Sequence, residues 1–88
     1  MDRVVFLLWY SNLAIGEKQN NLTASFLEKA SRLIEDEINA AGGVAGAEME
    51  IRFKHIDETG KEAINLVIDE IVRSPEILLT NGTPFSAH

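Results

Sequence analysis

The chain has 88 residues, of which 45% are hydrophobic and 25% charged, and its net charge is −6. This composition is typical of one small globular domain, because disordered chains contain far fewer apolar residues. The acidic balance and the scattered Lys and Arg argue against nucleic acid as a partner, since phosphate binding needs clustered positive charge. The sequence contains no cysteine, and no apolar run approaches the roughly 20 residues of a membrane span.

The first apolar segment, residues 4–9 (VVFLLW), predicts a buried strand. Its apolar residues are continuous rather than alternating, which is typical of a parallel strand that helices cover on both faces. Residues 10–20 (YSNLAIGEKQN) follow as a polar connection. This connection is longer than the roughly two to six residues usual between a strand and a helix, so it predicts a functional or mobile loop.

A helix is predicted over residues 22–41, with Asn21 or Thr23 as its N-cap. The run Glu35-Asp36-Glu37 predicts a solvated part of its polar face, which also contains Glu28, Lys29 and Arg32. Helical spacing places the apolar residues on the other face, where they are expected to pack on a sheet: Leu22, Phe26, Ala30, Leu33, Ile34, Ile38 and Ala41.

Gly42 and Gly43 can take the left-handed conformation that ends a helix. Residues 49–55 (MEIRFKH) then alternate between apolar and charged, which indicates a strand with one face in water at a sheet edge. Thr59 and Glu62 have the spacing of a capping box for a second helix. Ser74-Pro75 ends that helix, because proline disfavours helical geometry in the residue before it. Residues 77–79 (ILL) predict a third short strand.

The order β-α-β-α-β predicts an α/β fold with a three-stranded parallel sheet. Right-handed crossovers place the first strand in the middle, in the order 2-1-3, with helices on the faces and an open edge on the third strand. Ligands of such sheets bind beyond the carboxyl ends of the strands. Those ends are residues 10–12, 55–57 and 82–86, whose hydroxyls, amides and aromatic rings suit a small polar molecule. Ordinary turn residues are the alternative interpretation.

The sequence lacks the common catalytic and cofactor patterns. Asp57 resembles a phospho-acceptor, but that chemistry needs a second acidic cluster after the first strand to hold Mg²⁺, so Asp57 is predicted to cap the following loop or to accept local amide hydrogen bonds. No G-x-G-x-x-G loop follows the first strand, and neither Ser11 nor Ser86 has a histidine beside it in sequence. His55 and His88 lack metal-ligand spacing. We therefore predict no enzyme activity and no cofactor.

One run carries a resemblance to a known family. The string Glu-Ile-Asn-Ala-Ala-Gly-Gly-Val-Ala-Gly of residues 37–46 resembles the end of the first helix in type I periplasmic solute-binding proteins, the amino-acid and amide receptors of ABC transport systems. The other elements occur in that family's order over nearly the whole chain. They include a loop beginning near Ser11, an exposed strand ending at Asp57, and a short strand running into Gly-x-x-x-Ser, here Gly82 and Ser86.

The resemblance implies a partial Rossmann-like lobe, the N-terminal part of the first of two lobes that close over a ligand. It implies that Ser86 contacts the ligand's carboxylate, that Thr83 and Phe85 line the cleft, and that Tyr10 and Ser11 approach the ligand from the first loop. It also implies a periplasmic or extracellular location, with a leader peptide outside this sequence, and a membrane permease or signalling domain as partner. Because half a lobe cannot enclose a ligand, we expect weak or no binding by these residues alone.

Two hypotheses of different classes follow. The first is extracytoplasmic binding of an amino acid, amide or similar small polar ligand, without catalysis. The second is an interaction module that self-associates through its exposed third strand. A small α/β enzyme is a third alternative, with no supporting group of residues.

Overall fold

The structure, a computed structural model, describes residues 2–81. Its elements are β1 (Arg3–Ser11), α1 (Glu17–Ala40), β2 (Glu48–Ile56), α2 (Gly60–Arg73) and β3 (Ile77–Thr80). The three strands are parallel and lie in the order β2-β1-β3. The predicted fold class and strand order are therefore confirmed. β1 lies in the middle of the sheet and contacts α2 through Leu7 and α1 through Tyr10, on opposite faces, which accounts for its continuous apolar run.

Alternate side chains of β1 meet different helices. Leu7 is buried in a cluster with Val67 of α2, and Trp9 packs against the same cluster. The hydroxyl of the next residue, Tyr10, donates a hydrogen bond to Asn20 of α1. Since successive residues of a strand point to opposite faces, α1 and α2 lie on opposite faces of the sheet. The chain crosses from β1 to β2 in one direction along the sheet and from β2 to β3 in the other. Two right-handed crossovers in opposite directions place their helices on opposite faces of the sheet.

α1 begins earlier than predicted. Its first residue is Glu17 and its N-cap is Gly16, at φ 96°, so the prediction of Asn21 or Thr23 as N-cap was wrong. The loop after β1 is therefore residues 12–16, an ordinary length for a strand-to-helix connection. The side-chain amide of Asn20 donates to the carbonyl oxygen of Gly16 at 2.9 Å, which binds the first helical turn to the loop.

The polar side of α1 binds the free edge of β2. The Asn39 amide donates to the carbonyl oxygen of Met49 at 2.9 Å and accepts from the Met49 backbone N–H at 2.7 Å. Glu35 accepts from the backbone N–H of Ile51 at 2.6 Å, and Arg32 donates to the carbonyl oxygen of Ile51. Helix side chains thus supply the hydrogen bonds that a neighbouring strand would otherwise supply.

This orientation turns much of the predicted apolar face of α1 away from the sheet. Leu22 is 56% exposed, Phe26 70% and Leu33 66%, whereas the buried residues of the helix are Asn20, Ala24 and Ser31. The predictions that the apolar stripe packs on the sheet and that Glu35 is solvated were wrong. The spacing of apolar residues carries no information about the unpaired N–H and C=O groups of a strand edge. In this fold, the hydrogen bonds to those groups decide which side of α1 faces the sheet.

The glycines of residues 37–46 form the turn from α1 to β2. Gly42 and Gly43 have φ values of 106° and 81°, which confirms the left-handed helix end. Val44 and Ala47 exchange two backbone hydrogen bonds, at 2.7 and 2.9 Å. A Cβ on Gly43 would lie 2.0 Å from the carbonyl oxygen of Ala47, so only glycine fits this position without movement of the backbone. The glycines of the run that carries the family resemblance are therefore explained by turn geometry.

α2 has the predicted bounds. Thr59 is its N-cap, but the Thr59 side chain makes no capping hydrogen bond, so the predicted capping box was wrong in that respect. Ser74 is the C-cap, as proline at the next position predicts. The helix buries Ala63 and Val67 against Leu7 of β1 and Ile56 of β2.

An ion-pair network crosses the α2 face of the sheet. The Arg52 guanidinium lies 2.6 Å from the Glu50 carboxylate and 2.8 Å from that of Glu76, and Arg3 lies 2.8 Å from Glu50. The hydrogen bond from Arg52 lowers the pKa of Glu50, and Glu50 in turn raises the pKa of Arg52. The network links β1, β2 and the turn that precedes β3.

Candidate functional site

The structure brings the carboxyl ends of β1 and β3 side by side. The Asn81 side chain accepts from the Trp9 backbone N–H at 2.9 Å and donates to the Trp9 carbonyl oxygen at 3.0 Å. The Thr80 hydroxyl donates to the carbonyl oxygen of Leu7 at 2.8 Å. This adjacency is what a cleft wall built from the two strand ends requires.

The predicted site residues fall into two groups. Tyr10 and Ser11 are the last two residues of β1 and are partly buried; being successive, they point to opposite faces of the sheet. Tyr10 is on the α1 face. Thr83, Phe85 and Ser86 lie outside the described residues, so their predicted roles remain predictions.

Asn20 fixes the loop that follows β1. Its side-chain oxygen accepts from the Tyr10 hydroxyl at 2.6 Å and from the Leu13 backbone N–H at 2.9 Å. Its side-chain nitrogen donates to the carbonyl oxygens of Leu13 and Gly16, both at 2.9 Å. Both donors and both acceptor positions of this amide are therefore used, at a residue that is only 3% exposed. The loop and the Tyr10 hydroxyl are held in one arrangement.

His55 joins the ends of β1 and β2. Its ring centroid lies 5.6 Å from that of Tyr10, with the planes tilted by 46°. Its Nε2 atom lies 2.8 Å from Oδ1 of Asn12 and 3.6 Å from a carboxylate oxygen of Asp57. The two strand ends thus present a continuous row of hydrogen-bonding groups.

An open groove of about 580 Å³ lies at this edge of the sheet. Asp57 and Glu17 give it negative charge, whereas the side-chain amides and the free N–H groups at the start of α1 attract a negative group. It therefore offers partners for both charges of a zwitterion. The groove is lined by Asn12, Leu13, Gly16, Glu17, Asn20, Asn21 and Asp57.

A second groove, of about 630 Å³, follows the outer edge of β2. Its lining includes Arg32, Glu35 and Asn39, the side chains that already bind the backbone of β2. Because their hydrogen-bonding capacity is used within the fold, we assign this groove a structural role.

Asn20 and His55 were not among the predicted ligand-binding residues, although His55 belongs to one of the strand ends expected to lie near a ligand. Both were interpreted structurally, Asn20 as part of the connection and His55 as a strand residue at a sheet edge. The position of His55 at the end of β2 was available from the sequence. The role of Asn20 was not, because it depends on the helix beginning at Glu17.

No helix within residues 2–81 has the length and apolarity that a membrane crossing requires. Over the same residues, no three His, Asp or Glu side chains are grouped so as to hold a metal ion. Comparisons with protein-family models, curated proteins and solved structures gave no match.

Proposed function

We propose that this chain binds a small polar solute, as the N-terminal part of the first lobe of an extracytoplasmic receptor of the type I solute-binding kind. The observation that supports this most is the groove at the ends of β1 and β2, whose loop is fixed by Asn20. Its volume is within the roughly 300–1,000 Å³ of small-molecule sites. A free amino acid or its amide is the proposed ligand, delivered to a permease or sensed by a signalling domain.

The polarity of the groove supports this choice of ligand. The Asp57 carboxylate is largely exposed and lies near His55, so it is placed to attract the ammonium group of an amino acid. The side chain of Asn12 and the first N–H groups of α1 can donate to the carboxylate. Since the groove is open on one side, the chain alone should bind in the millimolar range, a free energy of about −4 kcal/mol.

An NMR titration of the ¹⁵N-labelled chain with amino acids and primary amides tests this proposal. We expect saturable shifts in the amides of residues 12–16 and of Asp57, and we expect Asp57→Asn to weaken binding by about tenfold, because it removes the charge opposite the ammonium group. Glu37→Gln is the matched control, because Glu37 is an exposed carboxylate on α1, outside the groove lining. Shifts confined to the β2-edge groove, or no saturable shift, would contradict solute binding here.

A second candidate function is self-association through β3. β3 pairs with β1 on one side, and Leu78 and Leu79 are about half exposed. Within the described residues its other edge has no neighbouring strand, whereas the outer edge of β2 is occupied by α1. Leu78→Lys should abolish such pairing, since charged residues on an edge strand oppose strand addition. An unchanged oligomeric state in this variant would exclude it.

A further inference from the structure

The exposed apolar surface of α1 has the spacing of a helix-pairing seam. Leu22, Phe26, Lys29 and Leu33, here called the α1 stripe, follow one another at intervals of four, three and four residues. That alternation is the heptad pattern of positions that face a second helix. All four residues are exposed, and the three apolar ones are more than half exposed. Within residues 2–81, this side of the helix lies away from the sheet.

We propose that the α1 stripe is a homodimer interface, in which α1 pairs antiparallel with α1 of a second copy. The symmetry of the stripe supports this occupant. If a twofold axis crosses the helix midway between Phe26 and Lys29, Leu22 of one copy lies opposite Leu33 of the other. Phe26 then lies opposite Lys29, whose aliphatic stem and ammonium group both interact favourably with an aromatic ring. Each contact occurs twice, as a twofold interface requires.

The charges beside the α1 stripe favour the same arrangement. Lys18 lies near the start of α1 and Asp36 near its end, and both are exposed. Helical geometry places them on the same flank of the stripe. The antiparallel register brings Lys18 of one copy beside Asp36 of the other, because in an antiparallel pair each flank of the stripe faces the same flank of the second copy. The surface is therefore complementary to itself in the antiparallel orientation.

The available area is sufficient for a specific dimer. From their exposed fractions, the three apolar residues offer roughly 400 Å² per protomer, taking about 200 Å² for one large side chain. With both protomers and the flanking polar atoms, the buried surface reaches about 1,000 Å², the lower limit for a specific interface. We therefore expect a dimer that dissociates on dilution.

Sedimentation equilibrium of the full chain over a range of concentrations tests this interface. Phe26→Lys should raise the dissociation constant by more than about tenfold, because the substitution places a positive charge opposite Lys29 of the other copy, twice in the interface. Val72→Glu, an exposed apolar residue of α2, and Leu78→Lys on β3 should leave it unchanged. A chain that stays monomeric throughout, or a dimer lost in Leu78→Lys but kept in Phe26→Lys, would overturn the proposal.

Charge exchange tests the orientation with variants that should fold normally. Lys18→Glu places a negative charge near the start of α1 and Asp36→Lys a positive charge near its end, so both substitutions interact favourably with the helix dipole. At low salt each should weaken its own homodimer by about tenfold, because like charges then meet across the interface. An equimolar mixture of the two should form a heterodimer of wild-type affinity, since each altered residue then meets an opposite charge. Failure of the mixture to associate more tightly than either variant alone would overturn the antiparallel register. Far-UV circular dichroism confirms that each variant remains folded.

Discussion

Replacement of Gly43 by alanine should destabilise the fold more than replacement of any other glycine in the turn. Gly43 has φ 81°, and a Cβ there would lie 2.0 Å from the Ala47 carbonyl oxygen. The left-handed conformation costs alanine about 1–2 kcal/mol. Relief of the clash must move the backbone and strain the two hydrogen bonds between Val44 and Ala47, each of which contributes about 1 kcal/mol. We therefore expect Gly43→Ala to lower the free energy of unfolding by about 3–4 kcal/mol.

Gly46→Ala separates the cost of the left-handed conformation from the cost of the steric clash with Ala47. Gly46 has φ 84°, nearly the same as Gly43, but a Cβ on it meets no atom within 4 Å. It should therefore cost only the conformational strain of about 1–2 kcal/mol. The difference between the two variants isolates the contact with Ala47.

Urea denaturation followed by circular dichroism measures both variants. A chain of 88 residues has a free energy of unfolding of roughly 4–13 kcal/mol, so Gly43→Ala should remove a large part of it, while Gly46→Ala keeps a cooperative transition. Equal losses in the two variants would refute the reasoning, because φ alone would then explain both.

Three further predictions concern side-chain contacts. Asn39→Ala should lower the free energy of unfolding by about 1–2 kcal/mol and speed hydrogen exchange at the Met49 amide, measured by NMR; an unchanged exchange rate would contradict the edge contact. Asn20→Ala should cost about 2–4 kcal/mol in urea denaturation, since it leaves several polar groups of the loop unpaired, and a loss below about 0.5 kcal/mol would show that the loop does not depend on it. Glu50→Gln should cost about 0.5–1 kcal/mol at pH 7, and this difference from wild type should disappear in acid. Because Arg52 lowers the pKa of Glu50 from 4.5 in the folded state, the stabilisation is present above pH 4.5 and is lost as pH falls through the lower folded-state pKa.

The strands and their order could be predicted because they depend on burial. β1 has a continuous apolar run and occupies the middle of the sheet, while β2 alternates and lies at an edge. The ends of α2 were also predictable, since Thr59 and Ser74-Pro75 are local signals. In each case the signal is a pattern of residues that are close together in the sequence.

The start and the orientation of α1 depend on contacts between distant residues, so local pattern could not give them. Asn20 is polar and was interpreted as part of a loop, yet it is buried because its amide meets Tyr10 and the backbone of residues 13 and 16. The same limit applies to the candidate site. Tyr10 was predicted from the end of β1, whereas its hydrogen-bonding partner Asn20 required knowledge of where the helix begins.

The orientation of α1 links the protection of the sheet to the exposure of the α1 stripe. An edge strand has unpaired N–H and C=O groups, so the helix beside it is best placed with polar side chains toward the strand. Arg32, Glu35 and Asn39 meet this demand at Met49 and Ile51. Once these residues face β2, helical geometry fixes the stripe on another side. Closing the β2 edge and presenting an apolar surface are therefore consequences of one rotation of the helix.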